Sequence, residues 1–321
     1  NKRQRTLQSQ KLTVGKVYDN LRKLPEVTGT GSQDRKKDLI KELLVSASPK
    51  EARYVVRTAL GEMRIGVGEG TVRDSIAKAF DVEAEDVEYA HNLLTDYGDV
   101  SRISKVEGEG GLKEVDLELG RPFKVILAEN APTLEEALEN AEDPAIEYKY
   151  DGMRTQIHKD GDEVTVFTRR LENVTHQFPD LVRMVKESID TDKCIIEGEA
   201  VGLSSDGKEL VPFQKLSRRV HRKYDIEEMI NKIPVRLELF DVVYAEGKNL
   251  MDKSQRDRRG ELEEIVKESD EVRLAKQLVT DDLEKAQKFY KEALDAGQEG
   301  LMIKNLNAEY KPGKRVDIGI K

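Results

Sequence analysis

The spacing of the apolar residues changes once along this chain of 321 residues, near residue 120. Before that point, apolar residues recur every three or four positions, as in amphipathic helices. After it they alternate or form short runs bounded by turn residues, which is typical of strands. The sequence therefore predicts two domains, an all-helical one over residues 1–120 and one of strands and helices over residues 121–321.

Local signals place several elements of the first domain. Ser48 can cap a helix that has Pro49 at its first position, and Glu51 completes a capping box. Thr71 marks the start of a later helix, and the Gly-rich run Gly108 to Gly111 is interpreted as a linker. Apolar periodicity predicts helices within 39–44, 52–60, 76–80 and 87–94.

In the second domain, Asp160-Gly161 is a strong two-residue hairpin signal between strands 154–158 and 164–168. The β-branched runs 194–201 and 235–244 predict buried strands. Helices are predicted over 181–189, 256–266 and 283–294.

Composition excludes several classes of protein. The longest apolar runs are too short to span a membrane, and the polar start predicts no secretory signal. One cysteine, Cys194, cannot form an internal disulfide, and with four scattered histidines it cannot supply a zinc module. A net charge of −9 argues against a surface that is basic throughout, but it allows a local basic face. The 36% charged residues and the absence of Trp favour a heat-adapted protein, although salt adaptation gives a similar composition.

Lys149 lies in an apolar strand just before the Asp151-Gly152 turn. Partial desolvation favours the neutral form of an amine, and a neutral amine is a nucleophile. On spacing alone, a lysine at the edge of a surface strand is the simpler explanation of the position.

Other motifs follow this lysine in a fixed order. Lys149-Tyr150-Asp151-Gly152-Met153-Arg154 resembles the lysine motif of the covalent nucleotidyltransferases, which comprise ATP-dependent DNA ligases, RNA ligases and capping enzymes. Five further segments resemble the remaining motifs of that superfamily, namely Phe167 to Arg170, Glu197 to Ala200, Leu239 to Tyr244, Glu299 to Lys304 and Tyr310 to Lys321. Segment 63–72 and Arg121-Pro122 are similar to the DNA-binding domain and domain junction of archaeal and eukaryotic DNA ligases.

The resemblance implies a fold and a reaction. The expected fold is a helical DNA-binding domain followed by an antiparallel-sheet adenylation domain, with the oligonucleotide-binding (OB-fold) barrel outside the chain. The expected reaction seals nicks in duplex DNA with ATP and Mg²⁺, in replication, repair and recombination. It also implies a monomer, a sliding clamp as a further partner, no membrane partner, and a nucleoid-associated cytoplasmic location in an archaeon or a nuclear one in a eukaryote.

The resemblance also implies roles for particular residues. Lys149 is the nucleophile that becomes linked to AMP, Phe240 stacks on adenine, and Glu147 accepts a hydrogen bond from the exocyclic amine. Phe240 could instead be a core residue and Glu147 a solvated one. Sugar and phosphate contacts are expected from Arg154, Arg169, Lys304, Arg315 and Lys321, although Lys321 could be a frayed terminal residue.

Three carboxylates are expected near the metal and the ribose. Glu199 and Glu299 suit the ribose hydroxyls and a hydrated Mg²⁺, because hard cations take oxygen ligands. Asp151 is assigned either to a metal-bound water or to the order of its turn.

A DNA-phosphate contact is expected in the helical domain. Gly66 and Gly68 allow close backbone approach ahead of a helix start at Thr71, with Arg64 and Arg73 beside it. Lys36, Lys37 and Lys41 could contribute, and a merely solvated charged face explains the same residues equally well.

Two other functions stay open at this point. An RNA ligase or capping-type transferase shares the catalytic motifs, and a catalytically silent DNA-binding module would share the helical domain.

Overall fold

The computed structural model describes residues 11–61, 66–222 and 224–320, and it divides into two compact units, Asn1–Val72 and Arg73–Lys321. The first unit is helical, with α1 (Val14–Lys23), α2 (Ser32–Ser46) and α3 (Pro49–Ala59). The predicted capping box is confirmed: the backbone N–H of Ser48 donates to Glu51 Oε2 at 2.8 Å, and that of Glu51 donates to Ser48 Oγ. α4 (Glu69–Phe80) crosses the division, and it begins two residues before the predicted start at Thr71.

Three more helices belong to the second unit, α5 (Ala84–Leu94), α6 (Tyr97–Val106) and α7 (Gly108–Lys113). The linker prediction for Gly108 to Gly111 is wrong, because these residues begin α7. A Cβ on Gly111 would lie 2.4 Å from the Cβ of Glu107, so the missing side chain lets this turn pack closely on the preceding helix. Leu112 is then fully buried.

Hydrogen bonds tie these helices to the sheets of the same unit. Arg121 donates to the carbonyl of Leu94, and Asn92 Nδ2 donates to the carbonyl of Pro312 at 2.9 Å. The boundary between the two compact units therefore falls after Val72. Residue 120 instead marks the change from helices to strands. As a domain boundary, residue 120 stays a prediction.

The remaining elements form two sheets and their covering helices. In chain order they are β1 (Leu127–Asn130), α8 (Leu134–Glu139), β2 (Pro144–Lys149), β3 (Met153–Asp160), β4 (Glu163–Thr168), α9 (Pro179–Ser188), β5 (Lys193–Leu203), β6 (Leu210–Val211), α10 (Phe213–Val220), α11 (Ile226–Lys232), β7 (Val235–Ala245), β8 (Lys248–Asn249), α12 (Gln255–Ile265), β9 (Val272–Leu274), β10 (Gln277–Val279), α13 (Leu283–Asp295), β11 (Gly300–Asn305) and β12 (Arg315–Ile320). These elements confirm the strands and helices predicted for this part of the chain, including the hairpin between β3 and β4.

The first sheet has the strand order β1-β12-β11-β2-β10, and the second runs β4-β3-β5-β7-β8, with β6 beside β5 and β9 beside β7. Pairing is antiparallel except between β1 and β12 and between β7 and β9. Cys194 is a fully buried free cysteine in the core of the second sheet. No helix in the described part of the chain is long and apolar enough to cross a membrane.

A hydrogen-bonded strap holds residues 120–123 on β3. The backbone N–H of Gly120 donates to His158 Nδ1 at 3.0 Å, and the Gln156 amide exchanges two hydrogen bonds with the backbone of Phe123. Burial lowers the pKa of His158 to about 3, so this imidazole is neutral and can accept from Gly120. The strap leads directly into Ile126, whose carbonyl meets the site described next.

Candidate active site

Lys149 ends β2, at the edge where the two sheets approach each other. Its side chain is 26% exposed, and its Nζ lies 2.5 Å from Glu299 Oε2. The Glu299 backbone N–H also donates to the Lys149 carbonyl at 2.9 Å, so the register of β2 and β11 fixes this pair. The predicted nucleophile is therefore reachable from solvent and held by a carboxylate.

Three residues from both sheets meet beside it. Glu147 on β2 is buried, and its carboxylate accepts from Gln277 Nε2 at 2.9 Å. Lys304 on β11 places its Nζ 2.8 Å from Glu147 Oε2 and 4.6 Å from the ring centre of Phe240 on β7. The residues predicted to recognise adenine and phosphate are thus brought together, and Lys304 contacts both Glu147 and Phe240.

Arg154 approaches the same ring from β3. Its guanidinium lies 5.2 Å from the centre of the Phe240 ring and donates to the Ile126 carbonyl and to Glu197 Oε2. Burial alone would lower the pKa of Arg154. The Glu197 carboxylate and other anionic groups nearby have the larger effect, and the pKa is raised. Tyr310 donates to the other oxygen of Glu197 at 3.0 Å, which fixes the carboxylate that orients Arg154.

The carboxylates assigned to the metal lie around Lys149. Glu199 is on β5, and burial raises its pKa to about 8 against the pull of Arg154 and Lys149. Asp151 Oδ2 accepts from the backbone N–H of Phe213 at 3.3 Å, which links its turn to the start of α10, and its role stays a prediction. At Gly152 a Cβ would lie 2.5 Å from the carbonyl of Ala200, so only glycine lets this turn approach β5.

The carboxylates around Lys149 could supply a small number of oxygen ligands to Mg²⁺. Burial favours the protonated form of Glu199, and a bound divalent ion would favour the charged form. No cluster of three or more potential metal ligands occurs among the described residues. A magnesium ion here would depend on few side chains together with water and phosphate oxygens, which is its usual mode of binding.

Other predicted site residues lie apart from this cluster or outside the described residues. Arg169 is exposed in the turn after β4, and Arg315 is exposed at the start of β12. Lys321 and Arg64 are among the residues that the structure does not describe. The roles of all four stay predictions.

The residues predicted to contact DNA differ in their exposure and in the partners that they already have. Gly66 has a φ of +76°, and Gly66 and Gly68 have open space where a side chain would stand. Thr71 is exposed in the first turn of α4. In the other unit, Arg73 is already paired with Asp74 and Glu88, with its Nη1 2.9 Å from Glu88 Oε2.

Sequence reasoning gave no role to several buried groups of the cleft. Arg258 and Asp241 form a buried bidentate ion pair, and Arg258 stacks against the Tyr310 ring. Asp317, whose pKa burial raises to about 6, and Gln255 line the same small cavity as Phe240. The alternation along β7 and β12 could have suggested that Asp241 and Asp317 point inward, whereas Arg258 and Gln255 lie on α12.

Comparisons with known proteins agree with this geometry. Residues 125–321 match the family model of the ATP dependent DNA ligase domain, and residues 1–77 match that of the DNA ligase N terminus. The chain is 50% identical over 322 aligned positions to a DNA ligase of Nanoarchaeum equitans and 49% identical to one of Thermococcus onnurineus, covering 100% and 98% of this chain.

The chain spans 57% and 56% of the lengths of these two curated relatives. Among solved structures, Pmar-Lig_Pre superimposes with a TM-score of 0.61 at 17% identity, covering 99% of this chain and 65% of that one, so it shares the fold. The family model covers more than half of the chain, and the relatives are far above 30% identity, so the chain belongs to the ATP-dependent DNA ligase family.

Proposed function

We propose that this chain carries the nucleotidyl-transfer centre of an ATP-dependent DNA ligase that seals nicks in duplex DNA. The observation that carries the proposal is the position of Lys149. Its side chain is 26% exposed, and Glu147, two residues before it on β2, meets Lys304 beside the Phe240 ring that Arg154 also approaches.

In the first step, the Lys149 amine attacks the α-phosphorus of ATP, a P–N bond forms, and the bond to pyrophosphate breaks. The ammonium must lose a proton before it attacks, and Glu299 Oε2, 2.5 Å away, is the nearest acceptor for that proton. Lys304 and Arg154 supply positive charge against the phosphate oxygens. Bound Mg²⁺, which Glu199 and Glu299 would hold, supplies further neutralisation of that charge.

The next two steps transfer AMP and join the strand. A 5′-phosphate oxygen at the nick attacks the lysyl-AMP phosphorus, the P–N bond breaks, and the Lys149 amine is released. The 3′-hydroxyl then attacks the 5′-phosphorus, a phosphodiester forms, and AMP leaves. A role in replication, repair and recombination, a monomeric state, a sliding-clamp partner and a location with the DNA belong to the same proposal.

The test is incubation with Mg²⁺ and ATP labelled at the α-phosphate. We expect covalent label on the chain and a loss of roughly 10⁴-fold or more in Lys149→Ala, as for removal of a nucleophile. Lys276→Ala is the matched control, because Lys276 also lies against aromatic rings, Tyr148 and Phe289.

Addition of the C-terminal barrel in trans and of nicked DNA extends the test. Sealing of DNA ends but not RNA ends would support the ligase, and transfer to RNA ends alone would favour the capping or RNA-ligase type. Nick binding without label in any sample would favour a binding module, and label retained on Lys149→Ala would refute the assignment of the nucleophile.

A further inference from the structure

Lys304 bridges the two sheets of the second unit. Its backbone belongs to β11, while its Nζ lies 4.6 Å from the ring centre of Phe240 on β7. The residue is 6% exposed, and its only close anionic partner among the described residues is Glu147. At 2.8 Å from Glu147 Oε2, the Nζ still makes no hydrogen bond of acceptable geometry within the described ranges.

This ammonium is therefore buried but weakly fixed. A lysine is a compact charge on a flexible stem of four carbons, so a single ion pair leaves it free to swing when a better arrangement is offered. Asp317 lines the same cavity as Lys304 and Phe240. The cleft therefore offers the ammonium a second carboxyl group besides that of Glu147.

Lys304 occupies the place that the proposed function assigns to the base. An adenine that stacks on Phe240 and donates its 6-amino group to Glu147 needs the ring face and the carboxylate that Lys304 now contacts. The other oxygen of Glu147 is taken by Gln277 at 2.9 Å. The base and the ammonium therefore compete for the same pair of groups.

We propose that Lys304 is a specificity-determining residue that holds the base position in the free protein and reaches the α-phosphate only when an adenine amine replaces it at Glu147. This inference rests on the proposed function and adds to it a link between base identity and phosphate neutralisation. The 6-amino group of adenine donates a hydrogen bond to the buried carboxylate of Glu147 once Lys304 has moved away from it. A base without a donor at that position leaves the carboxylate unpaired, which is costly, so Lys304 stays where it is.

The link makes a prediction for the chemical step as well as for binding. At saturating nucleotide, lysyl-AMP formation from ATP should be at least about tenfold faster than nucleotidylation by purine riboside triphosphate, which lacks the amine, because the competent position of Lys304 is then less populated. In Lys304→Ala the two saturating rates should be equally low.

A second measurement does not depend on the chemistry. Calorimetric titration with adenosine, which has no phosphate, should give a Kd about tenfold lower for Lys304→Ala than for the unaltered chain, because no cation has to be displaced. Lys276→Ala should bind adenosine like the unaltered chain, since Lys276 lies against Tyr148 and Phe289 rather than Phe240.

Glu147→Gln keeps Lys304 and tests the same link if Lys304→Ala fails to fold. It removes the charge that anchors the ammonium, so the difference in saturating rate between the two triphosphates should shrink to below about threefold. Thermal unfolding establishes which variants are folded.

Either of two results would overturn the inference. One is equal saturating rates with ATP and the amine-free triphosphate in the unaltered chain. The other is adenosine affinity that is unchanged or weaker in folded Lys304→Ala. A complete absence of labelling with the adenosine effect intact would instead contradict the proposed function and leave the competition at Glu147 supported.

Discussion

Two buried ion pairs in the second unit differ in the number of contacts that hold the cation. Arg219 is fully buried and donates to both oxygens of Asp180, to the carbonyls of Ile233 and Gln177, and packs 4.4 Å from the Phe178 ring centre. Lys304 is almost as buried but, among the described residues, has a single ion pair, with Glu147. The difference separates a charge that is fixed in the fold from one that can change partners.

The physical reason lies in the two cations. A guanidinium presents several donors in a rigid plane, and a bidentate carboxylate together with two carbonyls leaves it one favourable position. An ammonium is a point charge that one carboxylate holds about as well as another. The Arg219–Asp180 pair lies where helix α9 meets α10, and Lys304 lies inside the cleft.

The largest effect is expected at the fixed pair. Asp180→Asn should lower the free energy of unfolding by about 3–5 kcal/mol, because Arg219 would remain buried without a compensating charge. Urea unfolding of the second unit measures this loss. Glu271→Gln is the control, since Glu271 is an exposed partner of Arg183 and should cost less than about 1 kcal/mol. A loss below about 1 kcal/mol in Asp180→Asn would contradict the distinction.

A smaller effect is expected at the movable pair. Glu147→Gln should lower the free energy of unfolding by about 1–2 kcal/mol, because the amide can still accept a hydrogen bond from Gln277 and Lys304 can turn toward Asp317. The same urea experiment applies. If the loss equalled that of Asp180→Asn, Lys304 would be a fixed structural charge and the comparison would fail.

The smallest effect concerns Glu199 and pH. Burial raises the pKa of Glu199 from 4.5 to about 8, so the folded chain keeps a proton that the unfolded chain releases. Stability due to this group is present below pH 4.5 and falls as the pH rises toward 8. Glu199→Gln should remove this part of the slope, by roughly 1 kcal/mol between pH 7 and pH 8.

The measurement is thermal unfolding of both proteins across that range. The slope due to Asp317, whose pKa is raised to about 6, should remain in both. Identical slopes in the variant and the unaltered chain would show that Glu199 is ionised throughout, like an ordinary surface carboxylate.

Local signals in the sequence predicted local structure well. The capping box of Ser48 and Glu51 and the Asp160-Gly161 hairpin depend on residues a few positions apart, and both are confirmed. The linker assigned to Gly108 to Gly111 failed because a helix can use glycine for close packing, which only the neighbouring helix reveals.

The cleft was predictable as a set of motifs but not as an arrangement. The pairing of Glu147 with Gln277, and of Tyr310 with Glu197, joins residues 130 and 113 positions apart. Such contacts depend on strand register and on how two sheets face each other, and neither is written in a single motif. The contacts of Lys304 with Glu147 and with Phe240 therefore emerged only from the structure.

The parallel pairing of β1 with β12 joins Leu127–Asn130 to Arg315–Ile320. During synthesis, β1 cannot pair until β12 has been made, so this edge of the sheet forms last. Contacts of such long sequence separation also form slowly. β11, which carries Lys304, lies between β12 and β2, so the ribosome must release nearly all of this unit before the cleft is complete. A nascent chain should consequently gain nucleotide affinity late and abruptly, when β12 emerges and docks.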